Sequence, residues 1–175
     1  THAEVDVNLV PALLMTLVHG RSTWDNNIHD TFDAKDRLKA REDFARVPPD
    51  QRTWDRACRS TLGYDFYWNL AEAFGWDLYG RAFSRLMRSL QNPGADADLA
   101  ALNHHDPNFK RDRLFLLLCQ ESKRNLLPYF ERYGLGRDRF GLGAAVKEKV
   151  HALPAWTDNA PPTALSFPGC LTVAE

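Results

Sequence analysis

The stretch GYDFYWNLAEAFGW, residues 63–76, decides the fold of this chain. Its apolar residues recur at three- and four-residue steps, the spacing of one helix face: Phe66, Tyr67, Leu70, Ala71, Ala73 and Phe74. Gly75 stands where a helix C-cap is typical, and a second helical pattern restarts near Asp77 and runs to Leu90. The sequence therefore predicts two helices joined at a single glycine in a tight hairpin.

The same spacing predicts further helices, at residues 7–18, 31–46, 111–134 and 138–152. The segment 31–46 is rich in charge and is expected to face solvent. Pro128 divides the third pattern, because proline suits the first turn of a following short helix, which Gly134 ends. Residues 91–107 are rich in Asn, Asp, Pro and Gly and predict a long loop.

These patterns predict an all-α fold, a multi-helix bundle of six or seven helices with short connections. Residues 1–152 are expected to form the helical unit, and residues 153–175 a Pro-rich irregular C-terminal tail. With 175 residues, of which 44% are hydrophobic, the chain is long enough to bury one sizeable core. One helical domain or subdomain with a tail is therefore predicted.

The charge and hydropathy of the chain exclude two classes of partner. Lys and Arg number 22 and Asp and Glu 23, so the chain lacks the positive charge of a nucleic-acid-binding protein. No apolar stretch approaches the ~20 residues that span a bilayer, and no signal-peptide pattern opens the chain. Neither nucleic acid nor a transmembrane segment is predicted. The first residue is Thr1 rather than methionine, which suggests a processed product or a piece of a longer polypeptide.

No self-contained active site is evident in the sequence, since the HExxH, GxSxG, phosphate-loop and dinucleotide-binding motifs are absent. Cys58, Cys119 and Cys170 are odd in number and widely spaced, so they predict neither a disulfide framework nor a CxxC zinc site. The adjacent pair His104 and His105 is a poor chelator in a polar loop. An N-terminal threonine can act as a nucleophile. Such hydrolases need a strand-rich scaffold, however, whereas here a helix pattern begins within a few residues.

Glu4 stands at the head of the first helix pattern, AEVDVNLVPALLM at residues 3–15. A carboxylate in the first turn of a helix complements the macrodipole by roughly 0.3–1 kcal/mol. His2 lies two residues away, and side chains at that spacing do not face each other, so the two are a poor chelating pair. From position alone, Glu4 is therefore interpreted as a helix-start carboxylate.

Three segments resemble the enhancin-type zinc metallopeptidases, a gluzincin family (peptidase family M-sixty) whose members attack mucins and other glycoproteins. The opening AEVDVNLVPALLM is similar to the segment that follows the HExxH helix in that family. NLAEAFGWDLYGRAFSRL (residues 69–86) and SKRNLLPYFERYGL (residues 122–135) resemble two later segments, in the same order and at similar spacing. Tyr133 stands where the family often has Trp. The resemblance extends to about residue 140.

The resemblance implies that this chain is the C-terminal helical part of a zinc metalloendopeptidase. The HExxH helix, with both histidine ligands and the general base, would lie upstream of Thr1, so no catalytic residue is predicted within the chain. Catalytic zinc takes three protein ligands and one water. In gluzincins the third ligand is a Glu on the following helix, which Glu4 matches, whereas Asp6 is the competing carboxylate. Asn8, one turn on, either orients the ligand or lines the cleft, or is an ordinary polar helix residue.

The loop RSTWDNN, residues 21–27, is a candidate part of the substrate cleft. Trp24 either stacks on a sugar face while Arg21, Asn26 and Asn27 hydrogen-bond hydroxyls, or anchors the loop on the core. The resemblance further implies zinc as cofactor, an upstream HExxH-containing segment of the same protein as partner, a glycoprotein or mucin-like substrate, and an extracellular location. The alternative is a noncatalytic helical interaction or scaffold module, the role of a similar region in the channel-associated factor proteins.

Overall fold

A computed structural model of the chain describes residues 34–58, 62–106, 108–136 and 141–157. These residues form eight α-helices and one 3₁₀ helix, Pro49–Gln51, and they contain no β-strand, only two isolated bridges. The α-helices are α1 (Ala34–Ala45), α2 (Trp54–Cys58), α3 (Leu62–Phe74), α4 (Asp77–Gln91), α5 (Ala97–Ala100), α6 (Phe109–Ser122), α7 (Leu127–Arg132) and α8 (Ala144–Val150). The predicted all-α class is confirmed for this part of the chain.

The two helices predicted on either side of Gly75 are present. α3 ends at Phe74, Gly75 has a φ of +81°, and α4 begins at Asp77. Glycine reaches a positive φ readily because it has no Cβ, and this conformation ends the first helix before the second begins two residues later. The predicted face of α3 is mostly buried, but Ala73 is exposed and does not belong to it.

α6 runs through the centre of the bundle. It packs along α4, with which it makes its largest interface, and against α8. Five consecutive residues of α6, Phe115–Cys119, are buried, so the helix is enclosed on most sides as its apolar run predicts. α3 packs against α1, α2 and α4. None of the helices in the described part of the chain is both long enough and apolar enough to cross a membrane.

Phe66 of α3 is the centre of an aromatic cluster that joins α3 to α7. Its ring centroid lies 5.1 Å from that of Tyr129, 4.9 Å from that of Phe130 and 5.3 Å from that of Tyr133. The ring of Trp54, from α2, packs against it at 5.2 Å. Aromatic pairs at these distances contribute roughly 0.5–1.5 kcal/mol each beyond the burial of area. We call these five residues the Phe66 cluster, and they fix how α7 packs on α3.

Two short helices lie where the sequence predicted none. α2 occupies a segment without a predicted element, and α5 lies inside the predicted long loop at 91–107. Asp96 begins α5 as an N-cap, because its carboxylate accepts the backbone N–H of Leu99 at 3.1 Å. The prediction of an uninterrupted loop was wrong, since helices of four or five residues are too short to display a helical period.

Two other helices differ from their predictions. The last helix begins at Ala144 rather than near residue 138, and Gly143 before it is extended. α1 is not wholly solvent-facing, because Phe44 is buried and the Arg41 side chain is only 11% exposed. The helix predicted at residues 7–18 lies outside the described residues.

α7 ends in a glycine motif that brings two backbone segments together. The Gly134 N–H donates to the Glu131 carbonyl at 3.0 Å, and the Leu135 N–H donates to the Phe130 carbonyl at 2.9 Å. These paired bonds are those of a Schellman motif, with glycine at its left-handed position. Gly134 has a φ of +77°, and a Cβ on it would lie 2.5 Å from the backbone of Thr53. Both the conformation and the close approach therefore require glycine here.

We predict that Gly134→Ala destabilises the protein by at least about 2 kcal/mol more than Gly94→Ala, as measured by urea unfolding. Gly94 also has a positive φ, +100°, but no atom lies within 4 Å of the position of its Cβ. Both variants carry backbone strain, and only Gly134→Ala adds a collision with a backbone. Equal losses of stability in the two variants would contradict the close approach to Thr53.

Candidate functional site

The residues predicted for a metal site and a substrate cleft all precede α1. Glu4, Asn8, Arg21, Trp24 and Asn26 fall within residues 1–33, which lie outside the described part of the chain. Their roles as zinc ligand and cleft residues stay predictions. Within the described core, the polar side chains are the remaining candidates for a functional site.

A buried polar cluster joins α1, α3 and the end of α7. The Arg41 Nε donates to the Asp65 carboxylate, and the Arg41 Nη2 donates to the Asn69 Oδ1 at 2.9 Å. The Asn69 Nδ2 in turn donates to the Tyr133 hydroxyl at 2.9 Å. The Asp65 side chain is fully buried. We call these four residues the Arg41 cluster; they form one continuous hydrogen-bonded chain inside the protein.

Electrostatics keep Arg41 charged and Tyr133 neutral near neutral pH. Burial works against the charge of Arg41, but the adjacent Asp65 carboxylate outweighs it and raises the pKa of the guanidinium above its ordinary value. Burial, and then the negative charge of Asp65, raise the pKa of the Tyr133 phenol to about 12. Arg41 is therefore charged and Tyr133 neutral at neutral pH. This arrangement suits holding helices in place better than exchanging protons with a substrate.

The sequence patterns did not predict the Arg41 cluster. Asp65 and Asn69 interrupt the aromatic face of residues 63–76 at a spacing of four, and this spacing was the local signal that a polar partner faces α3. Arg41 lies 24 residues before Asp65 in a segment that was predicted to face solvent. Such a distant pairing depends on how two helices pack, which a local pattern does not contain.

A second charged network, half-exposed, connects α4, α5, α6 and α8. The Arg85 Nε donates to the Asp96 Oδ2 at 2.5 Å, and its Nη1 lies 3.5 Å from the Glu121 Oε1. The Lys149 Nζ donates to the Asp98 Oδ1 at 2.6 Å. We call this set, together with Gln120, which donates to Asp98 at 2.7 Å, the Arg85 network. It ties the short helix α5 to three longer ones.

The carboxylates of the Arg85 network have lowered pKa values. Burial opposes the charge of Asp96, but hydrogen bonds from Arg85 and from the Leu99 amide outweigh it and lower the pKa. Hydrogen bonds from Lys149 and Gln120 lower the pKa of Asp98. Both groups are thus better stabilised as carboxylates in the folded protein than in the unfolded chain.

Asp112 is a further buried carboxylate in the described residues. Its Oδ1 accepts the backbone N–H of Gly143 at 3.0 Å, and burial raises the pKa of the group. The neighbouring Arg111 donates through its Nη1 to the Gly141 carbonyl at 2.7 Å. Together the two side chains hold the segment that leads into α8, which is a structural role.

Cys119, His104 and His105 do not assemble into one site in the described core. Across the residues whose placement is described, no group of three or more His, Cys, Asp and Glu side chains is arranged to hold a metal ion. His104 and His105 are both exposed, and the His104 ring lies 4.5 Å from that of Phe109. Cys119 is a buried free thiol, and burial raises its pKa to about 12, so it is not a nucleophile at neutral pH.

The chain matches none of the protein-family models, curated proteins or solved structures with which it was compared. The chemistry of the site therefore follows from its own residues. In the described core those residues form charged pairs with one another, and they hold α1 on α3 and α5 on α6.

We predict that Asp65→Asn destabilises the protein by about 3–5 kcal/mol, because it leaves the buried Arg41 charge without its counterion. The double variant Arg41→Met/Asp65→Leu removes both charges. It should therefore lose clearly less stability than the sum of the losses in the single variants Arg41→Met and Asp65→Leu. The control Arg46→Met breaks an ion pair with Asp43 at a 73% exposed arginine and should cost under about 1 kcal/mol. If urea unfolding showed that the double variant loses as much stability as the two single variants together, the buried pair would be contradicted.

We also predict an acid-sensitive stability that depends on the Arg85 network. A carboxylate with a lowered folded-state pKa contributes stability that is present above its unfolded pKa of about 4 and is lost as the pH falls through the folded value. The free energy of unfolding should therefore fall more steeply below about pH 4 in the native chain than in Asp96→Asn/Asp98→Asn. Asparagine preserves the N-cap of α5, so the comparison isolates charge. Parallel pH profiles would refute this assignment.

Proposed function

We propose that this chain is the C-terminal helical part of a zinc metallopeptidase of the enhancin type, acting on glycoproteins or mucin-like substrates outside the cell. In this proposal Glu4 is the third protein ligand of the zinc ion. Arg21, Trp24 and Asn26 line the substrate cleft, and Asn8 orients the ligand. The proposal rests first on the order and spacing of the three segments that resemble the family.

One contact in the described core carries the most weight for this proposal. The resembling segments 69–86 and 122–135 are adjacent in the fold, because the Asn69 side chain donates to the Tyr133 hydroxyl at 2.9 Å. The Phe66 cluster packs the same two helices together beside this bond. Two segments that resemble one family therefore form one packed unit. This supports treating the resemblance as that of a fold rather than of unrelated short stretches.

α1 connects this packed unit to the segment that carries Glu4. It begins at Ala34, directly after residues 1–33, and the Arg41 cluster holds it on α3. A buried ion pair resists displacement because separating its charges inside the protein costs several kcal/mol. We expect α1 to be a rigid mount from which the preceding segment reaches the metal site.

The donor chemistry of Glu4 agrees with a partial zinc site. A carboxylate is an ordinary zinc ligand, and one ligand alone leaves a tetrahedral site incomplete. The two histidines must then come from the upstream HExxH segment. Zinc bound in such a site supplies a water of lowered pKa and polarises the carbonyl of the scissile bond. The contribution of this chain would be to present one carboxylate at a fixed position and to bind the substrate beside it.

A noncatalytic scaffold is the second candidate. The observation that favours it is that the charged groups of the Arg41 cluster and the Arg85 network pair with one another, as structural networks do. In that case the sequence immediately upstream of Thr1 lacks an intact HExxH. Reading that sequence separates the two candidates before any variant is made.

We predict that Glu4→Gln weakens zinc binding at least about 100-fold in the polypeptide that includes the upstream segment, because it removes one of three protein ligands. Zinc content and competition with a chelator measure the effect. The 175-residue chain alone should show no peptidase activity.

Asp6→Asn is the matched control, since Asp6 is the competing carboxylate in the same helix pattern. It should leave zinc affinity within a few-fold of the native value. Unchanged zinc binding in Glu4→Gln would remove the metal-ligand role. If zinc affinity fell only in Asp6→Asn, Asp6 rather than Glu4 would be the zinc ligand.

A further inference from the structure

Four residues of α4 form an exposed apolar line. Phe83, Met87 and Leu90 are 50%, 53% and 55% exposed, the highest values for large hydrophobic residues in the described part of the chain, and Gly80 is exposed as well. The four follow one another at spacings of three, four and three residues, which is the spacing of the contact positions in a two-helix coiled coil. A different side of α4 is buried and packs on α6. We call these four residues the α4 seam.

Contacts within the protein hold the ring of Phe83 in place. It stacks on the ring of Tyr79, with 6.5 Å between the two centroids. The Tyr79 side chain is buried, and its hydroxyl donates to the backbone carbonyl of Tyr67 in α3. A side chain that is fixed before it binds loses little conformational entropy on binding. The α4 seam therefore offers a partner at least one aromatic ring that is already ordered.

The positive charges of α4 lie off the seam. Its three arginines, Arg81, Arg85 and Arg88, are all at least about 120° round the helix from the centre of the seam. The first two also form ion pairs within the protein. Ser84 and Gln91, the exposed residues that directly flank the seam, are uncharged. A second copy of the same surface would therefore not be repelled by like charges at the contact.

The side chains of the α4 seam are complementary in size to the same four residues in the opposite direction. In an antiparallel pair of α4 helices centred between Phe83 and Met87, Gly80 faces Leu90 of the second copy, and Phe83 faces its Met87. Gly80 leaves room for the leucine, because a Cβ placed on it would meet no atom within 4 Å. A methionine sulfur beside an aromatic ring makes a favourable contact. A single register therefore pairs the smallest residue with a large one and the sulfur with the ring.

A parallel pair of α4 helices would lose these features. It would place Gly80 against Gly80 of the second copy, which leaves a gap, and it would align the two helix macrodipoles in the same direction, which is unfavourable. The match between Gly80 and Leu90 is a property of this helix against itself, and an unrelated segment would have no reason to share it. The size pattern therefore favours a second, antiparallel copy as the occupant of the seam.

The area of the α4 seam sets the strength of such a pair. Its three large side chains, each about half exposed, offer on the order of 300 Å² of apolar surface in one copy. Two copies would bury about 600 Å² of such surface, which is below the ~1,200 Å² of a stable complex and within the range of weak, transient ones. The seam therefore suits a dimer that forms reversibly at high protein concentration.

We propose that the α4 seam is the contact surface of a reversible antiparallel dimer of this chain. In the dimer, α4 of one copy packs on α4 of the other, with Gly80 facing Leu90 and Phe83 facing Met87. The two-fold axis passes between Phe83 and Met87, so each of these contacts is made twice. This inference concerns α4 alone and does not depend on a metal site.

Sedimentation equilibrium of the full chain, from about 10 µM to 1 mM, tests for the dimer. The native chain should change from monomer towards dimer across this range. Phe83→Glu places a carboxylate in the apolar contact and should raise the dissociation constant at least about tenfold. The control Ala145→Glu adds the same carboxylate at an exposed position of α8, and it should leave the dissociation constant within about twofold of the native value.

An exchange of side-chain sizes tests the register. Gly80→Leu fills the space in front of Leu90 of the second copy and should raise the dissociation constant at least about tenfold. Gly80→Leu/Leu90→Ala again places a large residue opposite a small one and should return the dissociation constant to within about threefold of the native value. Leucine favours a helix more than glycine does, so Gly80→Leu should stay folded. Circular dichroism spectra and urea midpoints at low protein concentration check the folding of each variant.

Three outcomes would overturn the proposal. A monomer at every concentration up to about 1 mM would mean that the seam does not bind a second copy, whether another part of the chain or a different protein covers it. Association that Phe83→Glu leaves unchanged would place the contact elsewhere on the molecule. Stronger association in Gly80→Leu than in the native chain would contradict the register, because added apolar surface rather than fit would then drive the contact.

Discussion

The buried ion pair between Arg41 and Asp65 sets a condition that the surrounding helices have to meet. A charge pair inside a protein is tolerated only where further hydrogen bonds satisfy the remaining donors and acceptors. Asn69 accepts one such hydrogen bond from Arg41 and donates a second to the Tyr133 hydroxyl at the end of α7. Tyr133 also belongs to the Phe66 cluster. The polar and aromatic contacts therefore share α3 and the end of α7, and the polar contacts also hold α1 on α3.

This arrangement suits a rigid structural support better than a reaction site in the described core. The charged side chains of the Arg41 cluster and of the Arg85 network pair with one another. The Tyr133 phenol and the Cys119 thiol both stay protonated at neutral pH, because burial raises the pKa of each to about 12. A rigid helical unit of this kind can fix a functional segment at its edge. In the proposed peptidase that segment contains Glu4, and α1 is the element that joins it to the core.

Whether a helix could be predicted from the sequence depended on how many residues its pattern covers. α3, α4 and α6 were foreseen because they display the helical period over many residues, and Gly75 marked the turn between the first two. α2 and α5 are too short to show a period. The Arg41 cluster was not foreseen because its members come from distant segments. Phe83 and Met87 show a further limit, because their period predicts a helix but not that both side chains are about half exposed. Glu4 could be linked to zinc only by resemblance, because its proposed partner ligands lie outside the chain.

Anomalous diffraction at the zinc edge, from crystals of the polypeptide that includes the upstream segment, tests the proposed role of this chain most directly. The proposal predicts one zinc ion bound by two imidazole nitrogens and by a Glu4 carboxylate oxygen at about 2.0–2.2 Å, with a fourth position open to water. A zinc ion coordinated without Glu4, or a folded polypeptide without zinc, would contradict it and would favour the scaffold instead.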